Sequence, residues 1–252
     1  MKTIDGTGRL SSQPPSVTSR DGYIVGQAMP DRLSPRVAAL LKKTKTTRGR
    51  LIFALDATAS REPTWDMASQ LQASMFEEAA KIGGLDVQLV YYRDIDEVRQ
   101  SSWLSDPHEL VSRMNTIGCR AGSTKIARVL RHILTENERE KISAAIFIGD
   151  AVEEPPSELY DAAANLGVPM FMFQEGDGEV IYLNQHGEPQ KVEQVFRELA
   201  RLTGGAYGKF DARAAKQLGE LLRAVAAFAV GGISALADQR TDGARKLLGQ
   251  MK

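Results

Sequence analysis

The sequence predicts a doubly wound α/β fold, with a mostly parallel central sheet flanked by helices on both faces. Short apolar runs at 51–55, 85–92, 143–148 and 168–173 have the length and composition of strands buried on both sides. Helical patterns separate them, as parallel strands require. Glycine pairs and polar residues, such as Gly83-Gly84, Gly149-Asp150 and Gly204-Gly205, close the segments where the chain must turn.

Each element follows from its local chemistry. Residues 1–45 read as an N-terminal extension, partly disordered, because Ser12-Gln13-Pro14-Pro15-Ser16 can neither start a helix nor join a central strand. A short helix is expected over 35–42, followed by the basic run Lys42-Lys43-Thr44-Lys45, read as a solvated linker. The main domain is expected over 46–230. After the strand at 51–55 comes a polar loop, then a helix over 64–82 with Thr64 as N-cap and Gly83-Gly84 as its stop. A strand at 85–92 and a weaker one at 97–103 precede a helix at 106–114, which has Pro107 in its first turn. A helix over 123–134, a strand at 143–148, a helix at 157–166 and a strand at 168–173 follow. Residues 174–191 read as a polar insertion, with 180–183 as one arm of a hairpin. A helix at 193–203, a strand at 206–210 and an Ala- and Leu-rich helix at 212–230 complete the domain. Residues 231–252 form a helical tail that packs back on the body, with a partner-binding tail as the alternative.

Composition narrows the function. The 252 residues carry 32 Lys+Arg and 32 Asp+Glu, which argues against nucleic-acid binding through bulk charge while leaving a local basic patch open. Cys119 stands alone, excluding an intrachain disulfide and a Cys-rich zinc site. His108, His132 and His186 are scattered without ligand spacing, so a metal would be held by oxygen, pointing to Mg²⁺, Mn²⁺ or Ca²⁺. The N-terminus lacks a signal-peptide pattern, and the apolar stretch 224–237 is short and interrupted by Gly231-Gly232, so no membrane span is expected and a cytoplasmic location is.

Oxygen ligands are present in three loops that this fold gathers at the carboxyl ends of its strands. Asp56, Thr58 and Ser60 alternate just after the first strand, Thr124 follows Gly122-Ser123, and Asp150 ends the strand at 143–148. Two carboxylates and three hydroxyls suit a hard divalent cation and leave it able to accept a further oxygen from outside.

These residues resemble the von Willebrand factor type A (VWA) family, with its Rossmann-like sheet and its metal-ion-dependent adhesion site (Asp-x-Ser/Thr-x-Ser, then Thr, then Asp). The segments 122–130 and 199–207 also resemble that family. The resemblance implies that Asp56, Thr58, Ser60, Thr124 and Asp150 hold Mg²⁺, with Mn²⁺ or Ca²⁺ as alternatives. It implies a non-enzymatic protein-binding module of the bacterial intracellular type, an adaptor or complex subunit whose partner supplies an Asp or Glu carboxylate. An AAA+ ATPase is one candidate partner. Arg61, Trp65 and Ser123 would form the partner-binding rim, although core packing is an equal reading for Trp65. Departures from the pattern are Thr58 where Ser is commoner, Ala151 where Gly is common, Arg61-Glu62 after Ser60, and the length of the 174–191 insertion. Glu153 and Glu154 read as first-turn carboxylates favoured by a helix dipole.

Two other functions stand beside this one. A Mg²⁺-dependent, phosphatase-like hydrolase would use Asp56 as nucleophile, but Thr58 occupies the position where haloacid-dehalogenase-like enzymes place their general acid. A structural assembly protein with a vestigial metal site is the third.

Overall fold

Apolar strands buried on both faces assemble into one six-stranded sheet of order β3-β2-β1-β4-β5-β6. The computed structural model describes residues 48–58, 62–93, 97–120, 122–180, 190–210 and 215–251. The expected helix at 35–42, the rest of the 1–45 extension, Ser60, Arg61 and most of the predicted hairpin arm lie outside these residues.

The strands are β1 (Gly49–Asp56), β2 (Leu85–Arg93), β3 (Glu97–Gln100), β4 (Ala144–Val152), β5 (Met170–Val180) and β6 (Tyr207–Phe210). β1 pairs in parallel with β2 and β4, β4 with β5, and β5 with β6. Among the described strands only β3 runs antiparallel, at the edge beside β2. The helices, numbered among the described residues, are α1 (Glu62–Ala80), α2 (Pro107–Asn115), α3 (Ile126–Arg139), α4 (Pro156–Ala164), α5 (Val192–Thr203), α6 (Ala215–Asp238) and α7 (Asp242–Leu248). This is the expected doubly wound α/β architecture.

Strand alternation divides the core in two. On β1, Leu51, Phe53 and Leu55 pack with Met75 of α1, Met114 of α2 and Leu222 of α6. Ile52 and Ala54 point the other way, into a core with Val129 of α3, Leu159 of α4 and Phe196 of α5. Burial on both faces is why these strands read as continuous apolar runs.

Several boundaries differ from expectation: β3 stops at Gln100 rather than at 103, β4 runs to Val152 rather than to 148, and three further differences bear on the architecture. α3 begins at Ile126 rather than at 123 and runs to Arg139 rather than to 134. β5 continues past Phe173 into the supposed insertion, with an irregular register opposite Gly149 and Ala151. α6 passes through Gly231-Gly232, where Gly232 takes φ 66° and ψ −157°, a kink that glycine alone adopts readily. By length and composition α6 is apolar enough to cross a membrane, yet Leu218, Leu221, Leu222 and Val225 lie in the core. The C-terminal segment belongs to the same compact unit, 46–252. Leu236, Ala244 and Leu247 are buried, and the Gln250 amide bonds both the N–H and the C=O of Tyr207 (3.1 and 2.9 Å). That amide therefore occupies part of the outer edge of β6, where an unpaired strand would otherwise invite pairing.

Candidate metal centre

Strand order positions the site. The chain moves outward through β1, β2 and β3, then returns to lay β4, β5 and β6 on the other side of β1. The order therefore reverses between β1 and β4, and a crevice opens at their carboxyl ends. Asp56 is the last residue of β1 and Asp150 lies near the end of β4. Leu55 pairs with Ile148, which places Gly149 next to Asp56 and Asp150 one step beyond.

The β1 exit turns tightly. Asp56 is 4% exposed, and one of its carboxylate oxygens accepts the Thr58 N–H at 2.7 Å. This local bond folds the backbone back on the aspartate side chain. Ala57 bonds to neighbours on both sides, donating its N–H to Tyr92 O (2.9 Å) and accepting the Arg120 N–H (3.0 Å). Thr58 is buried as well.

Thr124 is anchored to the β4 exit. Its N–H donates to Glu153 Oε2 at 2.8 Å, while its Oγ1 accepts the Glu153 N–H at 2.9 Å. The reciprocal pair ties the loop before α3 to a residue three positions beyond Asp150. Glu154 follows with both carboxylate oxygens 3.2 Å from the Ala127 N–H in the first turn of α3. Burial raises the Glu154 pKa above its ordinary value, against the lowering effect of the Ala127 and Ile126 amides. The acidic pair thus serves the N-terminus of α3, not the helix that follows it in sequence. Its negative charge faces the positive end of that helix dipole.

Tyr92 was not among the predicted site residues. It pairs with Asp56 across β1 and β2, so both side chains lie on the same face of the sheet. The ring is fully buried and stacks on Phe147 at 5.9 Å. Burial drives the phenol pKa well above 10, and the Asp56, Asp150 and Glu154 carboxylates drive it further. One neutral hydroxyl therefore lies within the field of three carboxylates. Gly149 makes room for it: a Cβ there would sit 2.9 Å from the Phe147 ring and 3.3 Å from Tyr92 Oη. Sequence parity could have given the facing of Tyr92, since Ile52, Ala54 and Val90 share its side.

The predicted ligands fall into two groups. Asp56, Thr58, Thr124 and Asp150 are all at the carboxyl edge around the β1/β4 crevice, whereas Ser60 lies outside the described residues. Of the predicted rim, Ser123 is half-buried beside Thr124 and Arg61 is not described. Trp65 takes the core reading: it is 3% exposed, its Nε1–H donates to Met114 O at 3.2 Å, and it packs edge-on against Tyr91. An indole packed under α2 offers no surface to a partner. Cys119 lies nearby; burial first, and then the Glu62, Asp56 and Asp66 charges, push its thiol pKa up to about 11, so it stays protonated.

The donor set fits a hard cation. Among the described residues no three His, Cys, Asp or Glu side chains form a metal cluster, so the neutral hydroxyls of Thr58 and Thr124 would have to complete a shell begun by two carboxylates. Such a shell is oxygen-only and suits Mg²⁺, Mn²⁺ or Ca²⁺ rather than zinc.

No protein-family model matches the chain, and no curated protein matches it. Solved structures do resemble it. A von Willebrand factor type A protein from Catenulispora acidiphila aligns with a TM-score of 0.53 at 14% identity, over 73% of this chain and 43% of that one. The pilus adhesin SpaC from Lactobacillus rhamnosus GG, in an open conformation, gives 0.51 at 10% identity, over 73% of this chain and 30% of the adhesin. The SpRpn10 VWA domain gives 0.50 at 9% identity, over 68% of this chain and 95% of that domain. The chain therefore has the VWA fold. It spans less than half the length of the Catenulispora protein and about a third of SpaC.

Proposed function

We propose that this VWA-fold chain is a non-enzymatic, divalent-cation-dependent protein-binding module, an adaptor or subunit of an intracellular, cytoplasmic complex. Asp56, Thr58, Ser60, Thr124 and Asp150 hold the ion, with Mg²⁺ as the first candidate and Mn²⁺ or Ca²⁺ as alternatives. The ion supplies a Lewis-acidic point to which a partner's Asp or Glu carboxylate binds. The residues of this chain position the oxygens. The Thr58 amide orients Asp56, Glu153 fixes Thr124, and Tyr92 forms an uncharged floor beneath the carboxylates.

One observation carries this reading: the β1–β4 register sets Gly149 beside the buried Asp56 and Asp150 one step beyond, at the crevice where the strand order reverses. Two carboxylates held at neighbouring strand ends repel each other, and a divalent cation relieves that repulsion. The hydroxyl-rich donor set leaves such an ion electron-poor enough to attract an external carboxylate. An AAA+ ATPase remains a candidate partner through the family resemblance alone.

The test uses the full chain. Calorimetry with Mg²⁺, Mn²⁺ and Ca²⁺ should give one saturable site that Asp56→Ala abolishes. A pull-down from the native host should lose its partner both with EDTA and with the Asp56→Ala bait. Cation binding unchanged by Asp56→Ala, or a partner retained in EDTA, overturns the metal-dependent reading.

A further inference from the structure

The carboxylate crevice holds one polar atom that the fold itself does not satisfy. Tyr92 is fully buried, and its Oη has no hydrogen-bond partner among the described residues. Buried hydroxyls are nearly all bonded in folded proteins, because an unpaired one costs the full desolvation of the group. Other buried hydroxyls of this chain follow that rule. Thr64 Oγ1 donates to Glu175, Thr124 Oγ1 accepts the Glu153 N–H, and Tyr207 Oη donates to Gln174 Oε1 at 2.7 Å.

Packing aims the Tyr92 hydroxyl into the site. Its ring lies nearly flat on Phe147, with 15° between the planes, which fixes the direction of the phenol. The β1–β2 register sets Tyr92 on one side of Asp56, and the β1–β4 register sets Gly149 on the other. A Cβ on Gly149 would lie 3.3 Å from Tyr92 Oη. Glycine therefore leaves room beside the hydroxyl, at the strand ends that carry Asp56 and Asp150. A buried donor and the space next to it are preserved together.

A hydrated cation fits this arrangement. Mg²⁺ demands an octahedral shell of oxygens, dehydrates reluctantly and usually keeps several waters. A water on the inner side of the crevice has no bulk solvent to bond, and buried waters make about three hydrogen bonds to polar groups. A phenol hydroxyl can serve as such a partner, as donor or as acceptor. We propose that Tyr92 belongs to the cation site: its hydroxyl bonds a water in the shell of the bound ion and so favours Mg²⁺ over Ca²⁺, which sheds water more easily. The inference rests on the metal-binding reading and adds to it a residue and a basis for the choice of ion. Tyr92 is a positioning residue, since it reaches the ion through water.

Tyr92→Phe in the full chain is the test, because it keeps the ring on Phe147 and removes only the hydroxyl. Calorimetry with Mg²⁺ and with Ca²⁺ is paired with chemical denaturation in EDTA. In EDTA the variant should be at least as stable as wild type, since an unpaired buried hydroxyl is gone. Its Mg²⁺ affinity should nevertheless fall roughly tenfold, the lower end of the loss seen when a hydrogen bond to a metal-bound group is removed. Its Ca²⁺ affinity should fall less. A tyrosine with a packing role alone would not separate stability from affinity in this way. Tyr160→Phe, which removes a hydroxyl from α4, should change neither quantity. Unchanged Mg²⁺ affinity in Tyr92→Phe, an equal loss for both ions, or a variant less stable than wild type in EDTA overturns the inference while wild-type cation binding keeps the metal-binding reading intact. A wild-type chain that binds neither ion overturns both.

Discussion

The carboxyl edge of the sheet and the flank of α3 are both polar, and both touch α3, but they are built by opposite means. At the edge, short side chains (Asp56, Thr58, Thr124) are buried and fixed by backbone amides. Their geometry is inherited from strand ends and tight loops. On the flank, the long side chains of Arg128, Arg131 and Arg139 project from α3 over a floor of buried Gln88 and Glu136 and half-buried His132, whose Nε2 lies 2.8 Å from Gln88 Oε1. Positions set by the backbone couple a site to the fold, so a change there costs stability. Positions set by long surface side chains leave the fold alone.

The largest expected effect lies at the edge. Tyr92→Ala removes a fully buried ring stacked on Phe147 and opens a cavity beneath Asp56. Chemical denaturation should show a loss of about 3–5 kcal/mol, as for other buried aromatics cut to alanine. Cation affinity should fall with it, since the floor under both carboxylates is gone. A loss below about 1 kcal/mol would mean that the edge is not coupled to the core, and the contrast between the two regions would fail.

Gly149→Ala is a subtler probe of the same place. The added methyl meets the Phe147 ring at 2.9 Å and Tyr92 Oη at 3.3 Å, so both rings must move. Overpacking of this kind costs about 1–3 kcal/mol. The displaced Tyr92 should also weaken Mg²⁺ binding, measured by calorimetry on the folded protein. Weakened binding without lost stability would show that the hydroxyl matters through its position alone.

How far the sequence reveals each region follows from the same distinction. The strands of the edge were legible because burial on both faces writes a continuous apolar run, and Asp56 and Asp150 were legible because they end such runs. The α/β sheet followed from these runs, and the VWA fold from the resemblance of the loops 56–60, 122–130, 150 and 199–207 to that family. What joins the loops was hidden. The Thr124–Glu153 pair spans 29 residues, and no local pattern shows that Glu153 and Glu154 serve α3 rather than their own helix. Tyr92 needed the β1–β2 register to be seen as part of the site. The flank was hidden by boundary placement: a helix ending at 134 leaves out Glu136 and Arg139, and with them both the floor and the end of the arginine stripe. Trp65 shows the reverse case, where proximity in sequence to the site loop suggested a rim and tertiary packing under α2 claimed the indole.

The floor of the flank has a pH signature of its own. Burial lowers the His132 pKa below its ordinary 6.5, with Glu136 opposing and Arg139 assisting. A depressed histidine pKa means that the unfolded chain binds the proton more readily than the folded one. The stabilising contribution is therefore fully present above about pH 6.5 and is lost as the pH falls through the folded value. Denaturation midpoints compared at pH 7.5 and pH 5.5 should fall more in the wild type than in His132→Gln, which keeps a polar partner for Gln88. An equal fall in both proteins would assign the acid sensitivity to other groups and remove His132 from the floor's energetics.

The smallest stability effect should come from Arg131→Ala, and it decides the comparison. Arg131 is exposed on α3 and has no ion pair among the described residues, so its removal strands no buried charge and opens no cavity. Alanine is also the better helix former. The denaturation free energy should stay within about 0.5 kcal/mol of wild type. A side chain whose loss leaves the fold intact is set by its own helix and not by the core. If Arg131→Ala instead cost more than about 1 kcal/mol, the arginine stripe would be part of the packing of α3, and both regions would obey the same rule.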